Sequence, residues 1–239
     1  MLALISAMPE ELAAIVAMID RESVVTIGSR EFHVGTCHGH EVVCVVSRIG
    51  KVSAATTTAI LLERFQPRAV VMTGLAGAVS PALAVGDVVI ADRLIQHDLD
   101  ARPLFPRHEV PLLGVSEMPT DPDLRAGLVR AAEAIEVTPE LRDLGITRPR
   151  VHVGLIASGD QFFQSVDAVA GLRAVLPDAL AVEMEGAAAA QVCHEHAIPC
   201  AVARVISDTA DHGAAIDFSR FLSVACGPYA RTLVTGVLR

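Results

Sequence analysis

Three observations predict an α/β protein formed as one domain over residues 1–239. Of these residues 52% are hydrophobic, only 3% are aromatic and none is Trp. The core must therefore be built from Ala, Val, Leu and Ile, as in sheets covered by helices. Short apolar runs with strand character alternate with stretches of helical periodicity. No Pro/Gly/Ser-rich linker divides the chain, and α/β domains often reach this length. A net charge of −9 without a basic cluster argues against nucleic-acid or anionic-membrane partners, which need concentrated Lys and Arg. A small-molecule partner is expected. No apolar run approaches a membrane span, and the N-terminus reads into a strand with Glu10 and Glu11 close behind, unlike a signal peptide. The cytoplasm is the expected location. The five cysteines, Cys37, Cys44, Cys193, Cys200 and Cys226, are odd in number and mostly lie in apolar runs, which suits reduced core thiols.

In chain order, Met1 to Met8 reads as a buried strand stopped by Pro9, which suits the first turn of a helix. Leu12, Ile15, Val16 and Ile19 give that helix its apolar stripe. Glu10 and Glu11 complement its dipole, but Glu11 also lies just beyond the carboxyl end of a central strand, where α/β folds place ligands. Residues 23–27, 31–36 and 41–47 read as three strands joined by the turns Gly28-Ser29 and His38-Gly39-His40. Helix 52–65 and strand 69–73 follow. Gly74-Leu75-Ala76-Gly77 then reads as a loop whose amides can approach an anion, a sugar or a water, although it lacks the spacing of a phosphate loop. Beyond a strand near 87–92, the polar run Gln96 to Asp100 suits a solvated loop better than a metal site. Residues 102–122 carry five prolines and read as an extended excursion, suited to a lid or a dimer contact. Helix 124–136, a polar connection, strand 151–157 and helix 166–176 complete this part. Two adjacent aromatics, Phe162 and Phe163, follow strand 151–157, placed to stack on a flat heterocycle or to fill core. Cys193-His194-Glu195-His196 and Cys200 match no standard zinc spacing and read as core and surface.

Two carboxylates interrupt the apolar stretch around Ala181-Val182-Glu183-Met184-Glu185-Gly186. Buried charge needs partners. Glu183 and Glu185 share a side if the run is extended, and the alanines that follow start a helix, so Glu185 sits near a strand-to-helix junction. One reading makes Glu185 the acceptor of two hydrogen bonds from a vicinal diol such as ribose. The other makes both carboxylates structural, one holding an arginine such as Arg204 and one capping backbone. Strand 201–206 ends in Ser207-Asp208, where desolvation would raise the Asp208 pKa and favour proton donation. The competing reading caps the helix carrying Phe218 and Phe221. Glu11, Glu185 and Asp208 thus fall at three strand ends, as a site requires.

The segments Ala7-Met8-Pro9-Glu10-Glu11, Ile49-Gly50-Lys51-Val52, Thr73 to Gly77, Val85-Gly86-Asp87, His97-Asp98, Gly154 to Asp160, Val182-Glu183-Met184-Glu185 and Arg204 to Asp208 occur in an order that resembles the 5′-methylthioadenosine/S-adenosylhomocysteine nucleosidases of the nucleoside phosphorylase superfamily. The resemblance spans nearly the whole chain. It implies a central mixed, twisted sheet flanked by helices, and a homodimer in which the excursion near Leu104 and Phe105 reaches the partner's site. It also implies hydrolysis of a thioadenosine N-glycosidic bond, with Glu11 and Arg204 acting on the attacking water and Asp208, held by Ser207, protonating adenine N7. Glu185 would grip the ribose hydroxyls, Met184 the sugar, Phe162 the adenine face and the Phe163 backbone the adenine edge. Met8, Ile49 and Phe218 would wall the 5′-alkylthio group, and Glu183, Ala76 and Gly77 complete the expected substrate pocket. No metal or organic cofactor is implied.

The chain departs from the common pattern at Leu75, where many relatives have Ser beside the attacking water, which places more weight on Glu11 and Arg204. Arg48 replaces a small residue before Ile49 and suggests an anionic co-substrate such as phosphate. Residues 100–114 also differ, leaving the 5′ preference open. Alternatives on the same fold are a phosphorylase and a futalosine-type hydrolase; a non-catalytic nucleoside sensor is the alternative of another class.

Overall fold

Ten strands hydrogen-bond into one mixed sheet in the computed structural model, which describes residues 1–209 and 214–239. Strand β1 (Leu2–Ser6) leads into helix α1 (Pro9–Val16), and β2 (Asp20–Ile27), β3 (Arg30–Cys37) and β4 (His40–Val46) form the expected antiparallel meander. Next come α2 (Lys51–Phe65), β5 (Ala69–Ala78), β6 (Val88–Gln96), β7 (Glu117–Pro119), α3 (Pro122–Glu133) and α4 (Pro139–Asp143). The remainder is β8 (Val151–Ser158), α5 (Val166–Val175), β9 (Ala179–Glu183), α6 (Gly186–Glu195), β10 (Cys200–Asp208), α7 (Ala214–Val224) and α8 (Cys226–Leu238).

The sheet order is β10-β6-β8-β9-β5-β1-β4-β3-β2, and an additional β10–β5 pairing closes the first five strands on themselves. β5 is the hub. It runs parallel to β1 and β10 and antiparallel to β9. Alternation along the strands separates two cores. Leu2 and Leu4 pack with Leu12 and Ile15 of α1, Leu128 of α3 and Leu233 of α8, whereas Ala3 and Ile5 pack with Leu61 of α2 and the alanines of α6. Helices therefore cover both faces, and small Ala side chains let α6 approach closely. Among the described residues no single helix is long and apolar enough to cross a membrane.

Three local expectations are corrected. Gly74 to Gly77 is not a loop but the second half of β5, because its backbone bonds β10 on one edge, from Gly74 opposite Arg204 to Gly77 opposite Asp208, and β9 on the other. The polar connection contains α4, started by Pro139 and capped by Thr138 Oγ1, which accepts from Leu141 N at 3.4 Å. Helix α3 begins two residues earlier than expected because Asp121 caps it, accepting from the amides of Asp123 and Leu124 at 3.0 and 2.9 Å. The excursion is turn-rich as expected, with an isolated Val110–Val115 bridge before β7 pairs with β6.

Candidate active site

The strand ends deliver the site. β1 stops at Ser6 and α1 starts at Pro9, which puts Glu11 at the third helical position. There Glu11 Oε2 accepts from the amides of Ala7 and Met8 at 2.9 and 3.0 Å, and Oε1 accepts from Leu75 N on β5 at 3.1 Å. Glu10 stays exposed and answers only to the dipole, while Glu11 is 3% exposed. Burial pushes the Glu11 pKa up, against the Arg204 charge and the three amides. It is a carboxylate poised to hold a proton.

Arg204 sits in β10 with no exposed surface. Its Nη2 pairs with Glu183 and lies 3.4 Å from Glu185 Oε2, while Nε and Nη1 have no hydrogen-bond partner among the described residues. Burial alone would lower its pKa, but Glu183, Glu185 and Glu11 outweigh that and raise it. The guanidinium lies against Gly74. A Cβ there would overlap Arg204 Nη1 and come within 3.0 Å of Glu11 Oε1, so the glycine in β5 is required by close approach.

The two glutamates of the apolar stretch divide the readings between them. Glu183, the last residue of β9, accepts from Ser158 Oγ, from Arg204, from Glu185 N at 3.1 Å and from Gly186 N at 2.8 Å. It holds the arginine and caps the helix. Glu185 stands at the α6 N-terminus and accepts from Gly50 N at 2.9 Å, with its carboxylate on the pocket wall. Burial, then the neighbouring Glu183 charge, pushes Glu185 up to about 7. Burial is thus the main cause of both upward shifts, and only at Glu185 does a neighbouring carboxylate, Glu183, add to it appreciably.

Asp208 ends β10 opposite Gly77 and is buried; Ser207 Oγ donates to its Oδ2 at 2.8 Å. The helix cap also read for Asp208 falls on residues outside those described. Phe162 lies edge-on to Phe218 with centroids 5.8 Å apart, and Phe163 meets His97 edge-on at 5.4 Å. These groups line one pocket, part of it open to solvent, a concave and largely apolar site with a few converging polar groups, as small-molecule sites are. Met8, Glu11, Ile49, Ala76, Gly77, Phe162, Phe163, Glu183, Met184, Glu185, Asp208 and Phe218 all face it, with Arg204 and Ser207 immediately behind. Leu104 stands on the surface, 83% exposed, and does not line it.

Arg48, whose charge suggested an anionic co-substrate such as phosphate, does not line this pocket. Its backbone is left-handed (φ 72°) and its Nη2 donates to Ser29 O at 2.7 Å and reaches Ser29 Oγ at 3.2 Å, which turns the side chain away from the pocket. The polar run at 96–100, read as a solvated loop, is instead tied to other segments: Asp98 pairs with Lys51 Nζ at 2.5 Å and accepts from Asp160 N at 2.9 Å. Among the described residues no His/Cys/Asp/Glu group has a metal-holding arrangement. Sequence reasoning missed Gln161 on the pocket wall, the Gly50 amide on Glu185, and Ser158, whose Oγ also accepts from Ala187 N at 2.7 Å. Ser158, a polar residue at the end of an apolar strand, offered a signal of the same kind as Asp208. A single backbone amide offered none.

Comparison with known proteins yields consistent matches. A profile of the phosphorylase superfamily matches residues 1–239. A 5′-methylthioadenosine/S-adenosylhomocysteine nucleosidase of Anoxybacillus flavithermus is 39% identical over 225 residues, 94% of this chain and 92% of that one. The nucleosidase of S. pneumoniae solved with the transition-state inhibitor MT-ImmA superposes with a TM-score of 0.88 at 36% identity, covering 99% of this chain and 97% of that one. The Neisseria meningitidis nucleosidase in complex with methylthio-immucillin-A gives 0.89 at 34% identity, with the same coverage.

Proposed function

Because the chain belongs to the phosphorylase superfamily and, within it, to the 5′-methylthioadenosine/S-adenosylhomocysteine nucleosidases, we propose that its pocket hydrolyses both nucleosides with Glu11, Arg204 and Asp208 as the reacting set. The enzyme is a purine nucleosidase that releases adenine and the 5-thioribose. One observation carries the assignment of residues: Glu11, Glu185 and Asp208 enter a single pocket from three different strand ends, with a buried arginine behind two of them.

Glu185 binds the ribose 2′- and 3′-hydroxyls, its orientation fixed by the Gly50 amide. Phe162 covers the adenine face and the Phe163 backbone meets its edge. Asp208, positioned by Ser207, gives its proton to adenine N7 as the C1′–N9 bond breaks, so the bonding pair leaves on a neutral base. The water oxygen bonds C1′ and its proton passes to Glu11, with Arg204 Nη1 orienting that water. The sugar passes through oxocarbenium character, which the surrounding carboxylates stabilise. Proton donation of this type contributes roughly two to four orders of magnitude in rate. Water rather than phosphate is the nucleophile, since the described pocket lining carries Glu11, Glu183, Glu185 and Asp208 while Arg204 behind it is engaged by Glu183 and Glu185, and a phosphate dianion would meet repulsion.

The residues around exposed Leu104 and half-buried Phe105 complete a partner's pocket in a homodimer, and the five buried free cysteines fit a reducing cytoplasm. The test uses Glu11→Gln and Asp208→Asn: each variant should bind 5′-methylthioadenosine and release adenine at least about a hundredfold more slowly. Release at the wild-type rate by either would remove that residue from the mechanism.

A further inference from the structure

A second groove adjoins the nucleoside pocket across a thin ridge. Met8 and Ile49 face the pocket, whereas their chain neighbours Pro9 and Arg48 face a groove floored by Leu12 and Val16 and bordered by Arg30 and Glu31. Neighbouring Cα atoms are only about 3.8 Å apart, so one short segment from each chain pass separates the two spaces. In the nucleosidase reading the 5′ end of a bound nucleoside lies at this ridge, because Met8 and Ile49 are the residues that wall the 5′-alkylthio group.

Arg30 and Arg48 form an unusual pair. Arg30 Nε is fixed to Thr57 Oγ1 at 2.6 Å and Arg48 to Ser29, yet among the described residues neither has a carboxylate within ion-pair distance. Burial, then the Arg48 charge, lowers the Arg30 pKa, so the two cations sense each other. Like charges held together without a counter-ion in a chain of net charge −9 favour an anionic ligand group. Glu31 on the same groove supplies the opposite sign, and His33, which also borders it, has an interaction of its own.

We propose that this groove binds the amino-acid tail of S-adenosylhomocysteine, with Arg48 and Arg30 receiving the α-carboxylate and Glu31 the α-ammonium. The inference rests on the nucleosidase reading of the adjoining pocket. The two substrates differ only beyond sulfur: one ends in a methyl group, and the other continues through two methylenes to a zwitterion. That chain continues past sulfur toward the Met8–Ile49 ridge, and the methyl group ends before it. Arg48 is thereby a specificity-determining residue for the longer substrate and has no task in bond cleavage.

The experiment measures kcat/KM for both substrates, and for an S-adenosylhomocysteine analogue lacking the tail carboxylate, with the wild type, Arg48→Ala and Arg48→Lys. An exposed ion pair changes affinity by up to about fivefold and a bidentate arginine contact by more. The ratio of kcat/KM for S-adenosylhomocysteine over methylthioadenosine should therefore fall roughly five- to tenfold in Arg48→Ala, through KM, and recover in part in Arg48→Lys. The decarboxylated analogue should show a similar deficit with the wild type and none further with Arg48→Ala. A ratio within about twofold of wild type in Arg48→Ala, or an analogue as good as the natural substrate, would overturn the tail assignment while leaving the nucleosidase intact. Failure of the wild type on methylthioadenosine would instead remove the reading on which the tail site depends.

Discussion

Gly74→Ala is the substitution that the packing constrains most sharply. The added methyl group overlaps Arg204 Nη1 and approaches Glu11 Oε1 to 3.0 Å. Arg204 cannot retreat without loosening its pairing with Glu183 and Glu185. Overpacking a rigid core costs about 1–3 kcal/mol, and breaking a buried ion pair about 3–5 kcal/mol. Partial relaxation sets the expected loss of stability at about 2–4 kcal/mol, read as a lower midpoint in urea denaturation with an unchanged slope. Adenine release should fall more than a hundredfold, since Glu11 and Arg204 are displaced together. Gly171→Ala is the control: it lies inside α5, where a Cβ meets nothing within 4 Å, and should stabilise by about 0.5–1 kcal/mol with normal activity. A Gly74→Ala protein as stable and as active as wild type would refute the claim that the arginine and Glu11 are locked against β5.

Three further outcomes follow from the same cluster. Ser158→Ala removes a donor to Glu183 and an acceptor for Ala187 N; it should destabilise by about 1–3 kcal/mol in chemical denaturation, and an unchanged midpoint would contradict the role given to Ser158. Glu185 has a folded pKa of about 7 against an ordinary 4.5, so its contribution to stability is complete below about 4.5 and is lost as pH rises through about 7. The ligand-free protein should lose part of its stability over that interval and Glu185→Gln should lose less; equal pH slopes would contradict the assignment. The diol needs the ionised carboxylate, so KM for methylthioadenosine should rise as pH falls below about 7, with a higher and flatter KM profile in Glu185→Gln.

Much of this arrangement was legible in the sequence because charge inside apolar runs is informative. Glu11, Glu185 and Asp208 each stand where burial would be costly without a task, and the structure brings all three to one pocket. The alternation of Leu2 and Leu4 with Ala3 and Ile5 likewise encoded a sheet covered on both faces. Glycine content misled at Gly74 to Gly77, where Gly74 is small to admit Arg204 and not to make a turn. The direction of the Arg48 side chain was not legible, because it depends on a left-handed backbone and on Ser29, nineteen positions away. The short helix α4 rests on a cap and a proline with little apolar periodicity, so pattern alone could not separate it from a loop.

The central claim is that water, activated beside Glu11, opens the glycosidic bond. Adenine release from 5′-methylthioadenosine by the wild-type enzyme, followed with and without inorganic phosphate, tests it most directly. Equal rates in both buffers, with 5-methylthioribose as the sugar product and activity lost in Asp208→Asn, are the predicted result. Release that requires phosphate and yields the sugar 1-phosphate would contradict the account.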